Sequence, residues 1–412
     1  QRIVEAIESK QKILVYGDYD VDGTTSVALF YQFLCDIYPE VDYYIPDRYA
    51  EGYGVSLKGI DYAVENKVNL IVSLDCGITA FKAVDYAHEN GIDFVICDHH
   101  LPGDTLPKAI AVLDPKRKDC PYPFKELSGC GVGFKLCSAL ASHLNMPSET
   151  YMQYIDLVAV SIASDIVSIV GENRVLAFYG LEKLNKNPVL GLKILKKIAN
   201  IELKEMSISD IVFSLGPRIN APGRMAHARA SVDILTCTNE EEGLKFAESL
   251  SLHNTARRET DEQITSEAIF EISNVDDFTN QRTIVLANES WSKGVIGIVA
   301  SRMVERYYKP TIIFSENNGI LTGSARSIKG FSIYDGISKC SENVIQFGGH
   351  DFAAGLSIEK DKFESFKAKF EEIGTMEITH DMQSPVIEID RELELQDIDF
   401  KFYNILDQMA PF

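Results

Sequence analysis

The chain has 412 residues, 45% hydrophobic and 25% charged, which fits a globular protein with a sizeable core and two or three domains. The net charge of −21 argues against a generic nucleic-acid coat, which would be basic, but not against a nucleic-acid enzyme, because an acidic shell can surround a basic groove. No run of about 18 apolar residues occurs, so no membrane span is expected; the 8 cysteines form no CxxC pair and read as reduced cytosolic thiols, not disulfides or a cysteine zinc site.

The N-terminal QRIVEAIESKQK reads as an amphipathic helix and not a signal peptide; it starts without Met, so a fragment or processed chain is expected. Apolar runs at 13–17, 42–45, 69–75, 93–98 and 109–113 then alternate with helical patterns at 26–37, 57–65 and 80–89. That alternation predicts an α/β domain whose parallel sheet is covered by helices on both faces. Helices follow to about 197, then the Gly/Pro-rich LGPRINAPGRM (215–225), read as a loop, and a long charged helix over 239–272. A smaller α/β unit begins near 282 with TIVLAN, IGIVASRMVERY and PTIIFS. PVIEIDRELEL (385–395) reads as strands, and the chain stops at ILDQMAPF without a terminating feature, so a further domain is expected to be cut away. The expected divisions are 1–190, 191–272 as a helical connector, 273–376 and 377–412.

VYGDYDVDGTTS places Asp18, Asp20 and Asp22 at alternate positions after the first strand. Carboxylates this close repel, and burying them costs unless something compensates. IVSLDCGI ends the third strand with Asp75, FVICDHH ends the fourth with Asp98, His99 and His100, and SIASDIVSI sets Asp165 in an apolar segment. Taken singly, an Asp after a strand is a turn or helix cap, and DHH is a solvated loop. DxDxDG resembles a calcium loop but lacks the remaining EF-hand spacing and its terminal Glu. At successive strand ends a parallel sheet gathers these groups at one edge, which predicts a metal site with one or two divalent ions, Asp75 able to bridge them. Carboxylates with histidine suit Mn²⁺ well, and Mg²⁺ or Zn²⁺ less decisively.

IPDRYAEGYG offers Arg48, GPRINAPGRM offers Arg218 and Arg224, and GSARS, read as a short turn, offers Ser324 and Arg326 to a phosphate. Each arginine alone is more often a surface ion pair, but three such loops in an acidic chain point together to an anion. GGHDFAAG (348–355) puts His350 in a tight turn, either close-packed ahead of a helix or facing a ligand. Trp291, the single Trp, could stack on a base or pack in a half-buried site.

GDYDVDG, SLDCG, CDHH and the Asp165 segment resemble the four motifs of the DHH phosphoesterase superfamily, and GSARS with GGHDFAAG resembles its DHHA1 companion domain. The GPRINAPGRM and IPDRYAEGYG loops narrow the resemblance to the RecJ family of bacterial single-strand-specific 5′-to-3′ exonucleases, over nearly the whole chain to about 376. The resemblance implies a DHH catalytic domain, a connector, a DHHA1 substrate-binding domain and the start of an OB-type module from about 377. It implies Asp20, Asp22, Asp75, His99 and Asp165 as metal ligands for Mn²⁺ or Mg²⁺, and His100, with Asp75 and His99, at the reacting centre. It implies Arg48, Arg224, Ser324 and Arg326 as holders of the DNA 5′ phosphate and its neighbours, with Arg218 and His350 as further substrate contacts. Many DHH enzymes carry a His where Tyr16 stands here, so water or Asp18 is expected in that ligand slot, or Asp18 supports the loop.

The reading is metal-assisted hydrolysis that strips nucleotide 5′-phosphates from a single DNA strand, in recombination and repair in the cytoplasm, the strand entering a cleft between the two domains too narrow for a duplex. Alternatives are a DHH phosphodiesterase on short oligonucleotides or cyclic dinucleotides, and an inactive scaffold that only holds single-stranded DNA. Family resemblance suggests single-strand-binding protein and a RecQ-type helicase as partners.

Overall fold

Five successive apolar residues, ILVYG, make β1 (Ile13–Gly17) a strand buried along its whole length, preceded by α1 (Arg2–Glu8). In this computed structural model, which describes residues 1–165, 167–275 and 277–411, the chain divides into two units: Gln1–Asn254 with the C-terminal residues from Gln396, and Thr255–Leu395.

The first unit continues with α2 (Val21–Cys35), β2 (Val41–Tyr44), α3 (Leu57–Glu65), β3 (Leu70–Leu74), α4 (Phe81–Glu89), β4 (Asp93–Cys97) and β5 (Ala111–Leu113). All five strands are parallel, in the order β2-β1-β3-β4-β5. Side chains alternate across β1. Ile13 and Val15 enter a core with Phe30, Leu74 and Leu136, whereas Leu14 and Tyr16 enter a second core with Ile60, Ala83 and Ile92. Burial on both faces explains the uninterrupted apolar runs. In this strand order the crevice between β1 and β3 is the topological switch point, where a doubly wound sheet leaves room for a ligand. The helix after β1 begins at Val21, five residues earlier than its apolar pattern predicts, so Asp20 is its N-cap and Asp22 stands in its first turn.

Then come α5 (Gly129–His143), α6 (Glu149–Met152), α7 (Ile155–Ser164), α8 (Gly171–Lys186), α9 (Leu190–Ile198), α10 (Ile208–Asp210), a π-helical turn (Ile211–Leu215), α11 (Gly216–Met225) and α12 (Arg229–Thr236). The expected loop at 215–225 is therefore helical. Pro217 sits in the first turn, where a missing N–H is tolerated. The glycines serve close packing: a Cβ on Gly223 would lie 2.6 Å from the Tyr19 carbonyl oxygen. The long charged segment forms α13 (Glu240–Ser273) as expected.

The second unit contains β6 (Ile284–Asn288), α14 (Ile296–Tyr307), β7 (Thr311–Asn317), β8 (Ile320–Arg326), α15 (Ile333–Ser338), β9 (Gln346–His350), β10 (Ala353–Glu359) and α16 (Phe363–Glu377). Its sheet runs β6-β7-β8-β10-β9, with β6 and β7 parallel and the remaining pairs antiparallel. GSARS is thus the end of a central strand, not a turn: β8 is hydrogen-bonded on both sides. GGHDFAAG is a hairpin between β9 and β10 and starts no helix, because the glycines and alanines pair across it. Trp291 is 2% exposed and donates its Nε1–H to Glu267 Oε2 at 2.7 Å, so it packs and has no face for a base.

The strands expected at 385–395 do not form. A strand needs a hydrogen-bonding neighbour, and no described residue pairs with this segment, which leaves Ile387 86% exposed. A short helix, α17 (Phe400–Asp407), follows. Among the described residues no helix is long and apolar enough to cross a membrane.

Candidate metal centre and phosphate-binding groups

The loop between β1 and α2 is held from below. Tyr16 lies in the core beside α3, where its hydroxyl donates to the Gly54 carbonyl at 3.3 Å and accepts from Ser56 N–H at 3.2 Å. Two residues on, Asp18 Oδ1 accepts from Gly54 N–H at 3.1 Å. Tyr16 and Asp18 thus both grip the IPDRYAEGYG loop, and Gly54 meets them with a φ of +80°. Asp18 is fully buried, and burial, then the charge of Asp20, raises its carboxyl well above the ordinary range.

Asp20 caps α2 and accepts from Gly23 N–H at 2.9 Å. Asp22 faces the first turn of α5. Its Oδ2 accepts from Gly129 N–H at 2.7 Å, and its Oδ1 from Cys130 N–H and Ser161 Oγ, both at 2.8 Å. Helix N-termini attract anions, so α5 offsets part of the cost of burying this carboxylate. Ser128 caps α5 and its hydroxyl donates to Ser161 Oγ at 2.7 Å, tying α5 to α7 behind Asp22.

Asp75 stands beyond β3 with a left-handed φ of +59°, a conformation Asp and Asn tolerate better than most residues. It is 1% exposed, and among the described residues neither carboxylate oxygen receives a hydrogen bond. Burial first, then Asp22, Asp20, Asp98 and Asp165, push its carboxyl well above the usual range. His99 approaches with its Nε2 3.1 Å from Asp75 Oδ1, 3.6 Å from Asp22 Oδ2 and 3.7 Å from Asp165 Oδ2. Its Nδ1 lies 3.0 Å from the Leu127 carbonyl oxygen, a partner that can only accept, so Nδ1 donates there and Nε2 is turned toward the carboxylates.

Asp98 plays a different part from that expected of a ligand. It accepts from Ile78 N–H (2.9 Å), His99 N–H (2.8 Å), His100 N–H (3.1 Å) and His100 Nδ1 (2.8 Å), and so orients both histidines. Burial works against its charge, but His100 and the backbone donors outweigh it and hold the carboxyl at about 2. Burial likewise opposes the charged imidazole of His100, and the Asp98 hydrogen bond and charge overcome it, raising His100 to about 9. His100 Nε2 lies 3.1 Å from the Tyr53 hydroxyl, which donates to the Asp75 carbonyl oxygen at 3.3 Å.

Two sets of ligand atoms lie within 4.8 Å of one another: Asp75, His99 and His100, and Asp22, His99 and Asp165. Asp18 and Asp20 fall in neither set among the described residues, although Asp20 shares their electrostatic neighbourhood. The Asp75 oxygens without donors among the described residues, an imidazole nitrogen aimed at them and the mixed oxygen–nitrogen set fit Mn²⁺ or Mg²⁺.

Arg48 stacks its guanidinium 4.2 Å over the Tyr19 ring, beside Asp18. Arg218 is turned back on its own helix, donating from Nη1 to the Ser214 carbonyl at 2.7 Å. Arg224 ends α11, and its carbonyl accepts from the Tyr49 hydroxyl, which clasps the Arg48 loop to α11. In the second unit Arg326 donates to Ser324 Oγ at 3.2 Å and to the Ala325 carbonyl at 2.7 Å. A Cβ on Gly297 would lie 2.8 Å from Ser324 Oγ and 3.2 Å from Arg326 Nη2, so the bare first turn of α14 completes a small cradle with these two residues. His350 lies on the exposed edge strand, and its Nδ1 accepts from Phe352 N–H at 3.3 Å.

Sequence reasoning missed three contributors: the α5 N-terminus, Tyr53 and the positioning role of Asp98. Ser128 followed by GCGVG was a legible sign of a capped helix that must be approached closely. A Cβ on Gly129 would lie 2.6 Å from Asp75 Cβ. Nothing local marked Tyr53, because its partners are 22 and 47 residues away.

Carboxylates and histidines gathered at the switch point of a parallel sheet, in a chain whose second α/β unit carries an arginine–serine cradle, define a class: proteins of the DHH–DHHA1 architecture. Residues 12–162 match the DHH family, N-terminal domain, and residues 280–374 match the DHHA1 domain. The chain is 37% identical over 413 residues to the single-stranded-DNA-specific exonuclease RecJ of Bacillus subtilis, covering 100% of this chain and 52% of that protein. It is 34% identical to the Escherichia coli RecJ, covering 90% and 68%, and 34% identical to that of Haemophilus influenzae, covering 100% and 74%. RecJ from Thermus thermophilus in complex with Mn²⁺ superposes with a TM-score of 0.80 at 28% identity, over 91% of this chain and 54% of that one. An exonuclease RecJ bound to manganese gives 0.78 at 29%, over 91% and 92%. The chain belongs to the RecJ family, and spans about half the length of the Bacillus subtilis relative.

Proposed function

We propose that the protein is a metal-dependent exonuclease that removes nucleotide 5′-phosphates from the 5′ end of single-stranded DNA. The observation that carries this is the buried Asp75, its two oxygens without donors among the described residues, facing Nε2 of His99 amid Asp22 and Asp165. Asp22, Asp75, His99 and Asp165, with Asp20 at the helix cap, would hold one or two Mn²⁺ or Mg²⁺ ions. When bound, such ions neutralise charge on phosphoryl oxygens and make water a better nucleophile near neutral pH. Asp98 keeps His100 protonated, so His100 presents an Nε2–H that can donate to the phosphate or to the departing 3′ oxygen. Leu127 and the α5 N-terminus keep His99 and Asp22 in place. Arg48 and Arg224 suit backbone phosphates, and the Ser324–Arg326 cradle suits a terminal one.

This reading takes recombination and repair as the setting and the cytoplasm as the location. Its partners are a single-strand-binding protein and a RecQ-type helicase, on family membership alone. The test supplies Mn²⁺ and compares 5′-phosphorylated single strands, duplexes and dinucleotides. Stepwise 5′-to-3′ release of mononucleotides from single strands supports the proposal. Hydrolysis of dinucleotides alone selects the small-substrate phosphodiesterase reading, and strand binding without hydrolysis selects the scaffold.

A further inference from the structure

Beside the open edge of β2 lies a pocket of about 370 Å³ that the metal centre does not use. Its walls are Tyr43 and Tyr44 on β2, Tyr62 on α3, and Arg229, Ala230 and Asp233 on α12. Tyr43 forms a buried floor, with the Arg229 guanidinium 4.9 Å over its ring and its hydroxyl given to Asp233. The Tyr44 and Tyr62 rings lie 4.9 Å apart and tilted by 44°. Tyr62 gives its hydroxyl to Asp42 Oδ2 at 2.9 Å, so its phenol is satisfied, and Tyr44 also stacks on Tyr16. The volume lies at the low end of the range of about 300–1,000 Å³ for ligand pockets, a size for one base with its sugar.

Both walls run directly into the phosphate-binding candidates. The β2 wall reaches Arg48 three residues after Ile45, and the α12 wall begins at Ala226, two residues after Arg224. The Tyr49 hydroxyl joins the two segments at the Arg224 carbonyl. We propose that this pocket takes one nucleobase of the single strand, on the 3′ side of the nucleotide being removed. This rests on the single-strand reading above. Aromatic faces with an arginine grip any base through its π-face, so the pocket selects unpaired bases over paired ones without reading sequence. A base held in a duplex must first be unpaired and unstacked to enter it, a cost that an unpaired base does not carry.

The test uses fluorescence anisotropy with a labelled 12-nucleotide oligo-dT in chelator, and a scan of the same strand with one abasic residue moved along it. Wild type should lose about tenfold in affinity when the abasic residue occupies one internal position, the effect expected for one lost base–aromatic stack. Ala230→Trp, which fills the pocket, should weaken the intact strand by about the same factor and abolish the further penalty of that abasic residue. Its hydrolysis of a 5′-phosphorylated dinucleotide in Mn²⁺ should match wild type. Tyr62→Ala serves if Ala230→Trp does not fold. A flat abasic scan, or folded variants that bind the intact strand like wild type, overturns the pocket proposal alone. A wild type that neither binds nor hydrolyses single strands overturns the functional reading and the pocket with it.

Discussion

His99 Nε2 lies 3.1 Å from Asp75 Oδ1 while His99 Nδ1 is fixed on the Leu127 carbonyl. A lone pair and a carboxylate oxygen this close repel unless a proton or a cation stands between them. Asp75→Asn removes one side of that repulsion, and Asn accepts the same left-handed backbone. The variant should lose at least about a hundredfold in Mn²⁺ affinity by titration calorimetry, a ligand mattering no less than its supports. Without metal it should melt above wild type, because the uncompensated buried charge is gone. A metal-free melting point below wild type would refute this account of the site.

Gly129→Ala places a methyl group 2.6 Å from Asp75 Cβ, against a strand end that cannot retreat. Overpacking of this kind costs about 1–3 kcal/mol, read as a lower urea midpoint. It should also displace the N–H groups that serve Asp22, so Mn²⁺ affinity falls as well. Gly131→Ala, whose Cβ would meet Leu127 at an ordinary 3.4 Å, should cost far less.

In the metal-free protein His100 should remain an imidazolium up to about pH 9, followed by NMR of its ring protons. Its folded pKa is raised, so its contribution to stability is whole below its unfolded value of about 6.5 and is lost as pH rises through 9. Asp98, at about 2, contributes above its unfolded value of about 3.9, and that contribution disappears as pH falls through 2. Asp98→Asn should bring the His100 titration down toward its ordinary value. No movement would mean that the pair does not set the His100 charge.

Arg326→Lys should not be conservative. Nη1 alone donates to Ser324 Oγ and the Ala325 carbonyl, and a lysine ammonium holding those two partners lacks the second guanidinium nitrogen, Nη2, that lies beside Gly297. The preference for a 5′-phosphorylated over a 5′-hydroxyl strand should fall by about tenfold, while hydrolysis of an internal dinucleotide bond changes little. Equal losses on both substrates would place Arg326 at the reacting centre instead.

The parallel sheet was legible because burial on both faces writes itself as uninterrupted apolar runs: ILVYG is a strand to the residue, and the run at 69–75 is a strand over Leu70–Leu74. The helical character of GPRINAPGRM was not legible. Glycine and proline are read as loop formers, and here the glycines let α11 approach Tyr19 and Ser164. PVIEIDRELEL shows the reverse failure. Its alternation is that of a strand, but alternation supplies side-chain faces and not the neighbouring backbone that a strand requires.

Local sequence therefore determined which residues could be ligands, since carboxylates and histidines stand where apolar strands must end. The tertiary structure decided how those residues are used. Asp98 spends its carboxylate on four N–H donors and becomes a support. Asp18 serves the Gly54 loop. Asp75, left without a donor among the described residues, faces His99. The physical reason is that a carboxylate's role depends on which donors reach it. For Asp22 and His99 those partners come from residues 127–130 and 161, which folding alone brings to the ends of β1 and β4.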